Sequence, residues 1–389
     1  MSDIVLFNHK INSIHRYHPW IFSGAIKRLP KNIEDGQWVE VFDESGHFLG
    51  AGHYSTGSIA VRLISFEPHK SFEETFETYL KKAIELRKRL GLWYSSETNA
   101  FRLIHGEGDR LPGLIVDIYD TTAVVQAHTT GMFRSLPFIA SALVNCSEGR
   151  IQCVFNKSKS TLKTEISSDG IIAGETVCKE ICEYGNIFEV DISSGQKTGF
   201  FLDQRENRKL LSRYSNNKKI LNTFCYTGGF SVYAAAGGAS LVHSVDSSEK
   251  AVALAHKNML RNGFSTHEVF ISDVFEFLSS KTEDKFYDII VLDPPAFAKS
   301  QRSRHQAIQA YKRLNMLAME KIAPSGLIFT FSCSQAVSKE MFEGAVAAAA
   351  IECGRPVQIL HHLCQPPDHP VNIFHPEGEY LKGLVLHVS

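Results

Sequence analysis

Tyr287-Asp288-Ile289-Ile290-Val291-Leu292-Asp293-Pro294-Pro295 is an apolar run closed by an acid and two prolines. Near-continuous apolar character over this length reads as a strand buried on both faces. Proline offers no donor to a sheet ladder, so the strand stops at Asp293. Similar runs flank it. Ile220-Leu221-Asn222-Thr223-Phe224, Leu241-Val242-His243-Ser244-Val245-Asp246 and Val269-Phe270-Ile271 lie upstream. Gly326–Phe331, Val357–Leu363 and Tyr380–Val388 lie downstream. A helical pattern fills Ser248–Arg261 between two of them. Strands alternating with helices, apolar on both faces, predict an α/β domain around a mostly parallel sheet of seven strands.

The first half of the chain differs. Trp38–Phe42 and Ile59–Ile64 are short strands between Gly, Asp and Ser turns, which predicts a β-rich module to about residue 68. Ser71 precedes apolar residues at helical spacing and Gly91 ends them, so a connecting helix is expected. Leu114–Tyr119 and Thr122–Ala127 flank Asp120-Thr121 as a hairpin, with a helix near Phe133–Leu143 and a strand at Ile151–Phe155. At ~150 residues per domain, 389 residues suggest two to three domains. The pattern divides them as 1–68, 69–190 and 191–389.

Composition excludes several classes. The chain is 43% hydrophobic and 21% charged, which rules out a disordered or low-complexity protein. No stretch approaches the roughly 18 apolar residues of a membrane span, so no membrane partner is expected. The start lacks a basic region followed by an apolar run, so no signal peptide is expected. Eight cysteines include no CxxC pair. A cytoplasmic protein with reduced thiols and no metal site is the simplest expectation. Lys plus Arg total 41 and Asp plus Glu 42, which gives no global reason to expect nucleic acid.

In open α/β sheets, ligands bind beyond the carboxyl ends of the strands. Several of these ends carry suggestive residues. Phe224-Cys225-Tyr226-Thr227-Gly228-Gly229-Phe230 lets a backbone approach a ligand closely, or forms a plain turn; it is not the GxGxxG fingerprint. Asp246 follows Gly228 by 18 residues, an offset at which a carboxylate accepts ribose hydroxyls, or it caps the next helix, or both. Asp273 suits an adenine amino group, or merely caps the next helix. Asp293, held by its two prolines, suits the edge of a flat base. Cys333 in Ser332-Cys333-Ser334 would point into the same cleft, although a free cysteine is more often a small buried hydrophobe. Gly195-Gln196-Lys197-Thr198-Gly199-Phe200-Phe201-Leu202-Asp203-Gln204-Arg205 is polar and bounded by glycines, as expected of a loop folding over a cleft.

Together the Gln196–Arg205 loop, the FCYTGGF strand end, Asp293-Pro294-Pro295-Ala296-Phe297 and Ser332-Cys333-Ser334 resemble the class I S-adenosylmethionine-dependent RNA methyltransferases. The resemblance is closest to the 23S ribosomal RNA large-subunit methyltransferase I family, which makes 5-methylcytosine, and it covers the whole length. His18-Pro19-Trp20-Ile21-Phe22-Ser23-Gly24 resembles that family's N-terminal PUA domain, and Gly106–Leu114 its central α+β domain. Asp368-His369-Pro370 and Pro376–Gly383 resemble its C-terminal end. The resemblance implies a Rossmann-like domain with S-adenosyl-L-methionine as cofactor and ribosomal RNA as partner. It implies Cys333 as nucleophile and Asp293 as its partner on the base. It implies that Phe224, Tyr226, Thr227, Gly228, Asp246, Asp273, Asp293 and Gln204 surround the cofactor. Many cytosine-5 enzymes carry a second cysteine where Ala296 stands, but the nearest family also lacks it. Assembly state stays open, with a homodimer as one option.

Two alternatives remain. A guanine ring-nitrogen ribosomal RNA methyltransferase would not need Cys333. A catalytically inactive RNA-binding assembly factor would have a broken cofactor site, whereas Gly228, Asp246, Asp273 and Asp293 are all present. Local charge softens the objection from net charge. Lys197–Lys219 holds seven basic and two acidic residues, and Lys299–Arg313 holds five basic and none acidic. Lys197, Arg205, Lys299, Arg302 and Arg304 are the candidate phosphate contacts. Tyr17, Trp20 and Phe22 could stack on bases, but a place in the core of the small β module is preferred.

Overall fold

The computed structural model describes residues 3–162, 168–265, 267–280, 285–298 and 300–389. The chain forms two compact units. The first comprises Met1–Cys182, Val190–Leu202 and Pro367–Gly378; the second comprises Glu183–Glu189, Asp203–Pro366 and Glu379–Ser389. The units therefore do not follow three consecutive stretches. Residues 1–68 and most of 69–190 share one unit, and the chain crosses between units several times.

The first unit contains a six-stranded sheet that begins at Asp3–Leu6 and ends at Ile59–Ser65. Ile4, Leu6, Ile21, Val39, Val41, Val61 and Leu63 form its core. Tyr17 and Phe22 are not in that core; they are 54% and 51% exposed, which corrects the expectation that these aromatics are buried. A module this small has few interior positions, and the aliphatic residues fill them. The helix Phe72–Arg89 starts on a full capping box. The Ser71 hydroxyl accepts from Glu74 N, and Glu74 accepts from Ser71 N. Phe72, Phe76, Leu80, Ala83, Ile84 and Arg87 make its buried stripe. The hairpin Leu114–Tyr119 and Thr122–Ala127 belongs to a five-stranded sheet, and Asp120 turns it at φ 54°.

The second unit is built on a seven-stranded sheet. Its strands are β1 (Lys219–Thr223), β2 (Leu241–Asp246), β3 (His267–Ile271), β4 (Tyr287–Leu292), β5 (Ile322–Ser332), β6 (Val357–Leu363) and β7 (Lys382–Val388). The spatial order is β3-β2-β1-β4-β5-β7-β6. Pairings from β3 through β5 are parallel, and β7 runs against both β5 and β6, so the sheet is mixed. The chain leaves β1 toward β2 on one side and returns to β4 on the other. The order reverses between β1 and β4, and at their carboxyl ends open α/β sheets of this kind bind ligands. Its helices are α1 (Arg205–Tyr214), α2 (Gly229–Ala236), α3 (Glu249–Arg261), α4 (Val274–Ser279), α5 (Arg304–Lys321) and α6 (Lys339–Cys353). Leu221, Ile290, Leu292, Tyr311, Leu314, Ile328 and Leu386 are among the residues of the core between sheet and helices. No helix among the described residues is long and apolar enough to cross a membrane.

Candidate active site

Because β1 to β5 run parallel, their carboxyl ends share one edge. The loop after β1 is contorted. Phe224, Tyr226 and Gly228 all have positive φ, at 51°, 45° and 79°. For non-glycine residues this conformation costs of order 1–3 kcal/mol each, and such residues cluster at ligand sites. The surroundings over-determine the loop. Tyr226 N donates to Asp246 Oδ2 at 3.0 Å, and Asn258 Nδ2 donates to Thr227 O at 2.9 Å. A Cβ on Gly228 would stand 2.9 Å from Ala255 Cβ, so glycine serves both the turn and the close approach of α3. Below it, Asn222 Nδ2 donates to Ser231 Oγ at 2.8 Å, which pins the start of α2 to β1.

Asp246 ends β2. Its Oδ1 accepts from Ser248 N at 3.0 Å, while Ser248 itself caps α3. Each oxygen thus takes one backbone donor, and a carboxylate has lone pairs for more. Asp273 is the N-cap of α4, its Oδ1 accepting from Phe275 N and Glu276 N. Phe224, Tyr226 and Asp246 are partly exposed, Asp273 is exposed and Thr227 is buried.

Asp293 follows β4. Its Oδ1 accepts from Gln204 Nε2 at 3.0 Å. Gln204 is 2% exposed, and its Oε1 accepts from Asn207 Nδ2 at 2.6 Å. Asn207 therefore fixes which end of the Gln204 amide faces Asp293. Asn207 also donates to Cys364 O at 3.3 Å. Sequence reading missed Asn207; its place three residues after Gln204 at the start of a helix was the available signal.

Cys333 follows β5 and is partly exposed. Its Sγ lies 3.9 Å from Pro294 O, so thiol and carboxylate occupy neighbouring strand ends. Around it, Tyr311 Oη and Ser334 Oγ are 2.9 Å apart, and Lys382 Nζ donates to Ser334 O at 2.8 Å. Cys225 differs. It is buried, and burial pushes its thiol well above the ordinary range, with Asp246 adding to the rise. A thiol held so firmly protonated is a poor nucleophile.

The candidate phosphate contacts separate. Arg205 is 1% exposed, and its Nε donates to Glu206 Oε1 at 3.1 Å, so it does not present itself to a phosphate. Its neighbour Arg208 is likewise buried, paired with Glu183. Arg302 is exposed in a short turn and Arg304 opens α5. Lys299 lies outside the described residues. Lys197 is exposed in the first unit, with Nζ 4.4 Å from the centre of the Phe201 ring. The loop around it is tied down within that unit, where Thr198 Oγ1 donates to Asp117 Oδ2 at 2.6 Å.

Among the described residues, His18, His375 and Glu377 are the group with metal-ligand potential. Both Nε2 atoms face Glu377 Oε2, at 3.6 and 3.8 Å. Trp20 N–H donates to His18 Nδ1 at 3.2 Å, however. That leaves the proton on Nε2, so His18 turns a proton rather than a lone pair toward the cluster.

A family model of S-adenosylmethionine-dependent methyltransferases matches residues 134–378, and one of PUA-like domains matches residues 4–66. Ribosomal RNA large subunit methyltransferase I of Aeromonas hydrophila subsp. hydrophila is 40% identical, over 99% of each chain. The protein of the same name from Escherichia coli (strain SMS-3-5 / SECEC) is 35% identical, again over 99% of each. Among solved structures, a Streptococcus mutans protein assigned as a SAM-dependent methyltransferase is 24% identical, with a TM-score of 0.85 and full coverage of both chains. A protein assigned as a methyltransferase and solved with SAH gives 0.86 at the same identity. These two likenesses establish the shared fold.

Proposed function

The chain belongs to the ribosomal RNA large subunit methyltransferase I family of S-adenosylmethionine-dependent methyltransferases, and from that membership we propose that it forms 5-methylcytosine in large-subunit ribosomal RNA through a covalent Cys333 adduct. One observation carries the cytosine-5 reading: the Cys333 thiol lies 3.9 Å from the carbonyl beside Asp293, at the adjacent carboxyl ends of β4 and β5.

S-adenosylmethionine is the methyl donor of the family. The residues at the strand ends fit it. Asp246 and Asp273 offer acceptors to a nucleoside, and the positive-φ loop from Phe224 through Thr227 to Gly228 brings backbone close without side-chain bulk at Gly228. We assign Phe224, Tyr226, Thr227, Gly228, Asp246, Asp273, Asp293 and Gln204 to its surroundings. When bound, it supplies an electrophilic methyl group on a sulfonium.

The chain's own residues then do the following. Cys333 adds as thiolate to carbon 6 of cytosine, and the electron pair of the 5,6 double bond moves toward carbon 5, which becomes nucleophilic. Asp293 in its protonated form donates to ring nitrogen 3 at the base edge and neutralises the charge that the addition puts on the ring, in the orientation that Gln204 and Asn207 impose. Once carbon 5 is methylated, its proton passes to solvent water, the electron pair of that carbon–hydrogen bond re-forms the 5,6 double bond, and the sulfur–carbon 6 bond breaks with Cys333 leaving as thiolate. Arg302 and Arg304 are assigned to RNA phosphates, and residues 1–68 to docking on the RNA.

Cys333→Ala tests this reading. The expected result is loss of methyl transfer by at least about 10³-fold with cofactor binding intact, and 5-methylcytidine in nucleosides from RNA treated with the unsubstituted enzyme. Full activity in Cys333→Ala, or a methylated guanine as product, would overturn it.

A further inference from the structure

Lys382 is an enclosed lysine, 8% exposed, at the start of β7. In the antiparallel register it stands opposite Ser332, the residue before Cys333. Its Nζ donates to the carbonyl of Ser334, the residue after Cys333, at 2.8 Å. The thiol-bearing turn is therefore bracketed by one residue, through its backbone pairing on one side and its side chain on the other. We propose that Lys382 is a positioning residue for Cys333, fixing the Ser334 carbonyl and setting a cation beside Sγ that favours the thiolate; this rests on the reading of Cys333 as nucleophile.

The electrostatics agree with the geometry. Burial draws the Lys382 ammonium below the usual lysine range, while the negative charges of Cys333 and then Glu379 act to raise it. Such an interaction is reciprocal, because a thiolate that favours the ammonium is favoured by it. Other groups also face the turn. Tyr311 on α5 is raised by burial first, with the Cys333 charge adding to the rise against hydrogen bonds with Ser332, Ser334 and the Phe297 backbone that lower it, so it stays a neutral phenol there. Asp293 lies beyond β4, next to the Pro294 carbonyl that faces Sγ. Glu379 precedes β7. Of the groups named, Lys382 alone is cationic, opposed by the two carboxylates.

The test is the pH dependence of iodoacetamide alkylation at Cys333, followed by mass spectrometry of the peptide that carries it. In the unsubstituted protein the midpoint is expected below the ~8.5 of a free thiol. In Lys382→Met it should rise by about one pH unit or more, and the acidic limb of the kcat profile should move with it. Lys382→Arg, which keeps the charge, should restore most of the shift. An unsubstituted midpoint at or above ~8.5 overturns the proposal without any variant having to fold. An unchanged midpoint in folded Lys382→Met overturns it equally. Alkylation needs no RNA. Retained methylation in Cys333→Ala would therefore sink the nucleophile while leaving the Lys382–Cys333 coupling separately readable.

Discussion

At the scale of single residues, the site is a set of side chains whose orientation is imposed by others. Asn207 sets the Gln204 amide, and Gln204 meets Asp293. Charge behaves in the same relational way. Arg205 and Arg208 belong to the densely basic window after Lys197, yet both are buried, Arg205 against the partly exposed Glu206 and Arg208 against the buried Glu183. Lys312 pairs with Glu352, and Arg313 lies over the Phe275 ring. Arg302 remains exposed and Arg304 partly so. Reversing both, as Arg302→Glu with Arg304→Glu, should weaken RNA binding and lower its salt slope by about 1–2, with cofactor affinity unchanged by calorimetry. An unaltered slope would remove these residues from the RNA contact. Arg205 meets its sequence neighbour Glu206, but the partner of Arg208, Glu183, lies outside the window, so counting charge along the sequence could not reveal that this arginine is neutralised.

At the scale of elements, the helix Phe72–Arg89 shows how much local sequence can say. Ser71, the apolar spacing and Gly91 mark its ends, and the capping box forms as those residue types allow. Its last turn holds something they do not announce. Arg87 is fully buried, forks onto both oxygens of Asp109 at 2.5 and 2.8 Å, and donates to Arg102 O and Asp368 O. One side chain joins the helix, a strand, a short turn and the distant 367–378 segment. Arg87→Met would leave Asp109 buried without its partner, at a cost of about 3–5 kcal/mol. Urea unfolding should show that loss; a loss under about 1 kcal/mol would mean the pair is dispensable. The Ser332–Ser334 turn shows the same limit. The apolar runs of β5 and β7 are legible, but their antiparallel register, which sets Lys382 opposite Ser332, comes from pairing across distant sequence.

At the scale of the whole molecule, each unit buries a histidine that must stay neutral. His53 in the first unit and His267 in the second are both drawn down to about 4, chiefly by burial. Between about 4 and the ordinary 6.5, the unfolded chain binds protons at these sites that the folded chain refuses. Stability is then full above about 6.5 and falls as pH is lowered toward 4, by on the order of 1 kcal/mol per pH unit for each group. Melting temperature followed from about pH 7 to about pH 5 should fall, and His53→Gln should flatten part of the dependence. A constant melting temperature over that range would contradict it. Sequence alone determined the strand runs, the helix cap at Ser71, and the placement of Asp246, Asp293 and Cys333 at strand ends. Those follow from backbone periodicity and from residues that start or stop it, which are local properties. Tertiary structure decided which charges are cancelled, that Tyr17 and Phe22 face outward, and that Asn207 and Lys382 stand behind Asp293 and Cys333. Those depend on which distant segments share space, and burial rather than sequence spacing sets the strength of each interaction.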